Sequence, residues 1–180
     1  MIKIHVGCGK RFFPGWLHVD GESLPHIIHN DVYLSKHEEN SVDTIYSSHL
    51  LSYFDRFKAN WVLIKWHQVL KVGGVLRLAV PDFEAMARLY VTDTDKYPLD
   101  CFLGPLYGKM QMNNQLIYHQ TCYDFKSLSE LLIQIGFKDV RRYDWRLTEH
   151  AHIDDQSQAY LPHMDKENGT LISLNVEATK

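Results

Sequence analysis

No apolar run in this 180-residue chain approaches the roughly 20 residues that span a bilayer. Lys3 and His5 break up the apolar opening where a secretory signal would carry its core, so neither a membrane nor a secretory setting is expected. Cysteine is scarce. Cys8, Cys101 and Cys122 are odd in number, far apart and form no C-x-x-C pair, which leaves no disulfide framework and makes a reducing cytoplasm the simplest setting. An excess of one charge is also missing: 19 Lys and Arg stand against 22 Asp and Glu, a net −3 with His neutral. Nothing in that balance draws the chain to a nucleic acid or an anionic membrane. Internal repeats and low-complexity tracts are absent. What remains is an ordinary globular composition, 45% hydrophobic and 23% charged, over residues 1–180 read as one domain large enough for a core.

The most informative stretch runs from Ile4 to Asp20, IHVGCGKRFFPGWLHVD. Ile2, Ile4 and Val6 suit a buried strand, and Gly7-Cys8-Gly9 follows as a glycine turn. Trp16, Leu17 and Val19 form a second strand with Asp20 at its carboxyl end. Ligands of open α/β sheets bind at the carboxyl ends of strands. There the glycines admit a ligand, and the carboxylate accepts hydrogen bonds from ribose hydroxyls. The dinucleotide fingerprint G-x-G-x-x-G is incomplete, because Phe12 occupies the third glycine's place. The connection from Gly9 to Trp16 is too short for the helix whose N-terminus holds a pyrophosphate. A cofactor with a ribose and no phosphate fits better, and S-adenosylmethionine is such a cofactor. A nicotinamide-dependent Rossmann enzyme is the weaker reading.

Further along, Ile27 and Ile28 mark a short third strand running to Asp31, and Val42 to Ser48 a fourth. From Arg56 to Lys71, Val62, Leu63, Trp66, Val69 and Leu70 recur at helical spacing, with Gly73-Gly74 as the stop. Val75 to Val80 is the next strand, and a helical pattern follows Asp82 from Phe83 to Val91. Thr92 to Cys122 reads as irregular, with Pro98, Gly104, Pro105 and Gly108. Loops this long in compact domains are usually functional, so it is expected to cover the site. Asp124 caps a helix from Phe125 to Ile135, and Gly136 ends it. Lys138 to Trp145 reads as an edge strand, Asn168-Gly169 as a turn, and Leu171 to Ala178 as the closing strand.

In series, VGCG (Val6–Gly9), PGWLHVD (Pro14–Asp20), NDV (Asn30–Val32), VDTIYSSHLL (Val42–Leu51), VLKVGGVLRLAVPDF (Val69–Phe83) and IGFKDV (Ile135–Val140) resemble the class I S-adenosylmethionine-dependent methyltransferases. The resemblance spans nearly the whole chain. It implies an α/β fold, a Rossmann-like doubly wound sheet of about seven strands in the order 3-2-1-4-5-7-6, the last strand antiparallel. It also implies that Gly7, Cys8 and Gly9 touch the methionine part of the cofactor, with Asp20 and the adjoining Gly21 at the ribose. Asp31 and Val32 fall beside the adenine, and Ser47, Ser48 and His49 beside the methyl group. The chain departs from the family pattern in three places. His5 stands where an acid usually precedes the first glycine, Arg11 replaces a third glycine, and Ser52-Tyr53 replaces a Glu-His pair after strand four.

Methyl transfer needs an aligned nucleophile, and it needs a base only when the acceptor still holds a proton. His49 is the first candidate base, His119 in the presumed cover the second, and Asp82 a group that orients the acceptor or caps a helix. Residues 83–123 and 146–170 are expected to cover the acceptor site, unless a second subunit of a homodimer completes it. His150, His152, Asp154, Asp155, Tyr160 and His163 lie in the second segment. Their spacing fits no standard zinc pattern, and no metal is expected. The composition points to a small-molecule or sugar-type acceptor rather than DNA or RNA. The reading from a different class is a degenerate methyltransferase fold acting as a binding or scaffold module, for which His5 and Arg11 speak.

Overall fold

The computed structural model describes residues 1–180. Six strands form the main sheet: β1 (Lys3–Val6), β2 (Leu17–Val19), β3 (Val42–Ser48), β4 (Leu70–Pro81), β7 (Lys138–Arg142) and β10 (Ser173–Thr179). Their order is β2-β1-β3-β4-β10-β7. β1, β2, β3 and β4 pair in parallel, and β10 runs antiparallel to both β4 and β7. The expected strand order is therefore present, with its antiparallel last strand. The expected third strand is reduced to one parallel bridge, Val19 to His29. Its apolar content is two residues, and Asp31 draws the chain into a turn by accepting hydrogen bonds from the backbone of Tyr33 and Ser35.

The strands alternate, and the alternation sorts their side chains onto two faces. Ile4, Val6, Ile45, Leu76, Leu78, Val80, Leu174 and Val176 face helices α1 (Arg56–Val69) and α4 (Phe125–Ile135), in one apolar cluster with Val62, Leu63, Trp66, Leu128 and Leu132. α1 is capped by the Asp55 carboxylate and buries the stripe its periodicity announced. α4 starts on a capping box between Asp124 and Ser127 and ends on Gly136 in the left-handed conformation. Gly73-Gly74 does not stop α1. The helix ends when Leu70 turns extended, and the glycines lie inside β4, where the register with β3 jumps between Leu70 and Val75. There Gly73 and Gly74 exchange backbone hydrogen bonds with Lys180.

The other face carries His5, His18, Tyr46, Ser173 and Asn175, all buried. No helix covers it. The loop bearing Phe13 and Trp16 and the chain after β7, through Tyr143, His150 and Asp155, lie over it instead.

Beyond the carboxyl end of β4, α2 (Phe83–Thr92) and α3 (Asp100–Tyr107) build a second, smaller cluster from Met86, Tyr97, Phe102, Leu161 and Ile172. The stretch 92–122 read as irregular thus contains α3 and a hairpin, β5 (Met110–Met112) with β6 (Gln115–Ile117). Gly104 and Pro105 sit within α3 and masked it in the sequence. A two-residue pair, β8 (Tyr160–Leu161) with β9 (Thr170–Leu171), completes the cover.

Candidate functional site

β1 and β3 are neighbours, so the turn after β1 and the loop after β3 lie side by side at the carboxyl end of the sheet. Gly7 takes φ +73°, and a Cβ built on it would stand 2.8 Å from the Leu50 Cβ. Only glycine lets the two loops approach this closely. Gly9 (φ +54°) faces open space. The Asp20 carboxylate accepts the Gly9 N–H at 2.7 Å with one oxygen and the Glu22 N–H at 2.9 Å with the other. Each oxygen keeps a lone pair, so a glycine cradle and a positioned carboxylate fit a ribose-bearing cofactor. Buried hydroxyls of Ser47, Ser48 and Ser52 without partners lie at the same strand end. Cys8 is buried against this turn, and burial pushes its thiol up to about 12, so it is no nucleophile here.

Two residues expected near the adenine are otherwise engaged. The Asp31 carboxylate is bonded to the Tyr33 and Ser35 backbone and to the Ser35 hydroxyl. The Val32 carbonyl accepts the Trp66 indole N–H at 2.8 Å, while its side chain packs on the main core. Gly21 lies under the Met112 side chain, and Glu22 accepts the Asn113 N–H at 3.1 Å. The β5–β6 hairpin therefore rests on the loop that carries Asp20.

A cavity of about 770 Å³ opens next to this turn, between residues 96–119 and 156–172. His49, Tyr53, His119, Tyr97 and Tyr160 are among its lining residues; the glycine turn, Asp20 and Asp82 are not. Its size suits a small organic molecule. His49 and His119 are thus brought together, while Asp82 lies elsewhere. Buried, it caps α2 by accepting the Ala85 N–H and pairs with Arg142 at 3.1 Å.

His49 sits at φ +54°, a left-handed conformation that costs a residue with a side chain about 1 kcal/mol or more. Its Nε2 lies 3.2 Å from the Ser173 hydroxyl. That hydroxyl donates to Asn175 Oδ1 at 3.0 Å, and Asn175 Nδ2 donates to the Ser157 carbonyl at 2.8 Å. Asn175 Oδ1 can only accept, so Ser173 must give it its single proton. His49 Nε2 must then be the donor to Ser173. The chain of bonds fixes the tautomer and leaves Nδ1 with a free lone pair. Burial lowers the His49 pKa to about 3, with the neighbouring His119 acting in the same direction. The ring is neutral at pH 7.

His119 is oriented by the same logic. Its Nδ1 lies 3.1 Å from the Pro105 carbonyl and 3.2 Å from that of Leu106, so Nδ1 carries the proton and Nε2 is the acceptor. Tyr53 packs edge-on against this ring and donates to the Gly108 carbonyl at 2.6 Å. Burial holds the His119 pKa down. The cavity is thus lined by two neutral imidazoles, each with one nitrogen lone pair free to accept a hydrogen bond.

Of the second histidine-rich segment, Tyr160 and His163 line the cavity, whereas His150 and Asp155 are buried on the polar face of the sheet. No group of three or more His, Cys, Asp or Glu side chains is arranged to hold a metal ion. Sequence reasoning did not single out Lys96, Lys109, Ser173 or Asn175. The last two carried a signal, since polar residues at alternate positions of an otherwise apolar strand mark a face that must find polar partners.

No protein-family model matches the sequence, and no curated protein matches it. Solved structures do match the fold. An S-adenosylmethionine-dependent methyltransferase from Archaeoglobus fulgidus superposes with a TM-score of 0.59 at 13% identity, over 99% of this chain and 85% of that one. Another from Methanosarcina mazei gives 0.58 at 15% identity, over 99% and 91%. The 1,6-didemethyltoxoflavin-N1-methyltransferase of Burkholderia thailandensis, solved with its substrate and S-adenosylhomocysteine, gives 0.56 at 14% identity, over 99% and 70%. The chain has the class I S-adenosylmethionine-dependent methyltransferase fold. Methyltransferases sharing it act on varied acceptors, so the fold does not name one for this chain. No helix is long and apolar enough to cross a membrane.

Proposed function

We propose that this protein is an S-adenosylmethionine-dependent methyltransferase that methylates a small-molecule or sugar-type acceptor bound in the 770 Å³ cavity. The observation that carries this reading is the adjacency of two features. A glycine turn with a positioned Asp20 carboxylate lies against the loop whose His49, with a free lone pair on Nδ1, lines the cavity. Gly7, Cys8 and Gly9 would hold the methionine part of the cofactor, and Asp20 the ribose hydroxyls. When bound, the cofactor supplies an already activated methyl group on a sulfonium. The protein's own work is therefore alignment, exclusion of water and handling of one proton. An acceptor hydroxyl would give that proton to His49 Nδ1 or His119 Nε2, both neutral at pH 7. The hairpin resting on Gly21 and Glu22 would cover the ribose end of a bound cofactor.

Calorimetric titration with S-adenosylmethionine and S-adenosylhomocysteine tests the reading. Micromolar binding, about −8 kcal/mol, is expected for the native chain. It should fall at least tenfold in Asp20→Asn and be lost in Asp20→Ala, with circular dichroism unchanged. Failure of both ligands to bind the folded native chain would overturn the enzyme reading and favour a scaffold role.

A further inference from the structure

The charged groups on the cavity are of one sign. Lys96 and Lys109 are among its lining residues and no Asp or Glu is, although the chain carries more acids than bases, 22 against 19. Neither ammonium has a carboxylate partner; the lysine ion pairs of the molecule involve Lys3, Lys58, Lys71 and Lys166. The two lysines lie on either side of α3, Lys96 in the turn before it and Lys109 just past its C-cap Gly108, and both line the cavity. Both are exposed, whereas the wall behind them is buried and mostly apolar or aromatic: Tyr97, Tyr160, Leu161 and Ile172. His49 and His119 add no charge there, because burial holds both imidazoles neutral. The Lys96 ammonium lies over the Tyr97 ring, 5.1 Å from its centroid, so the cation and the aromatic wall stand together, and an anion with an aromatic or apolar body would meet both.

Resting on the reading of this cavity as the acceptor site, we infer that the acceptor is a small organic anion, an apolar or aromatic body bearing a carboxylate or phosphate group. Lys96 and Lys109 meet the charge at the rim. The body lies on Tyr97, Tyr160 and Leu161, which directs the nucleophilic end toward His49.

Displacement of the fluorescent probe 8-anilinonaphthalene-1-sulfonate by 4-hydroxybenzoate, phenyl phosphate and the neutral isostere 4-hydroxybenzamide tests this on the native chain. The two acids should displace the probe at concentrations at least tenfold lower than the amide does, with the margin shrinking as salt is raised. In Lys96→Met/Lys109→Met the three should fall within about twofold of one another. The control pair Lys126→Met/Lys138→Met, exposed positions on α4 and β7, should keep the preference despite the same change in net charge. Equal displacement by acids and amide on the native chain would overturn the inference. So would a preference that survives loss of Lys96 and Lys109, or one that the control pair also loses. Calorimetry with S-adenosylhomocysteine on the same samples separates the two ideas. Binding of it without anion preference sinks only this inference; anion preference without its binding sinks the methyltransferase reading.

Discussion

The two faces of the sheet are covered by different means. One is packed by α1 and α4 into an apolar cluster of 23 buried residues. The other is closed by coil, through stacked rings and hydrogen bonds: His150 stacks on Phe13 and packs against Tyr46, Tyr46 donates to Asp155, and Asn175 reaches Ser157. The burial of apolar area is non-directional and tolerant of small shifts, whereas a buried polar network demands every partner. The helical face is accordingly where the molecule draws stability. The polar face is where side-chain positions are specified, and its last link holds His49.

The sharpest way to break that contrast is to truncate the centre of each face. Trp66 is fully buried in α1 and anchors the loop at Val32 through its indole N–H. Trp66→Ala should lower unfolding stability by about 3–5 kcal/mol in urea titration, with the same loss at pH 8 and pH 5.

Acid, by contrast, should weigh heavily on the polar face. Burial lowers the His150 pKa to about 4, and its Nε2 has no hydrogen-bond partner, so protonation would place an unsatisfied cation among rings. The unfolded chain takes up that proton near pH 6.5 and the folded chain only near pH 4. The contribution is intact above pH 6.5 and is lost as pH falls through that window, to about 3 kcal/mol. His5, lowered well below its ordinary value by burial and by His18 and His150, pulls the same way. His150→Phe, which keeps the stack on Phe13, should flatten the acid limb of stability measured between pH 7 and pH 4.

A smaller effect is expected from Tyr46→Phe. It keeps the ring packing and removes one hydroxyl, leaving Asp155 Oδ2 buried without its donor. The expected loss is about 1–3 kcal/mol. Asp155→Asn should recover part of it in the double variant, because a neutral amide is cheaper to leave underbonded than a carboxylate.

The sequence announced these faces unequally. Along LISLNVEA, Leu174, Val176 and Ala178 alternate with Ser173, Asn175 and Glu177, which assigns one side to the core before any partner is known. α4 was legible to its caps, because Asp124 and Gly136 each act within their own turn; the Ser127 half of the capping box is a finding of the structure. What covers the polar face was not legible: Tyr46 and Asp155 are 109 positions apart, and residues 143–158 carry no periodicity. α3 was hidden by its own Gly104-Pro105, and the third strand was overread from two isoleucines. At the site, the glycine turn, Asp20 and the histidines were nameable because their residue types carry the chemistry. Lys96 and Lys109 were not, because an exposed lysine has no signature until the fold sets it on a cavity rim.

The finest test of the comparison asks whether the polar face matters more to chemistry than to stability. Ser173→Ala removes the acceptor for His49 Nε2–H and leaves Asn175 Oδ1 buried without its donor. Unfolding stability should fall by about 1–2 kcal/mol, no more than in Tyr46→Phe. The imidazole, however, loses the bond that selects its tautomer and holds its left-handed perch. On the proposed reaction, turnover of a hydroxyl acceptor should drop at least tenfold while affinity for S-adenosylhomocysteine stays within twofold. Ser173→Thr, which restores the hydroxyl, should recover most of the rate. A merely structural role for Ser173 predicts that rate and stability fall together. A kcat loss with stability and cofactor binding held would mean that β10 lends the polar face to the site, and that its buried hydrogen bonds serve to position His49.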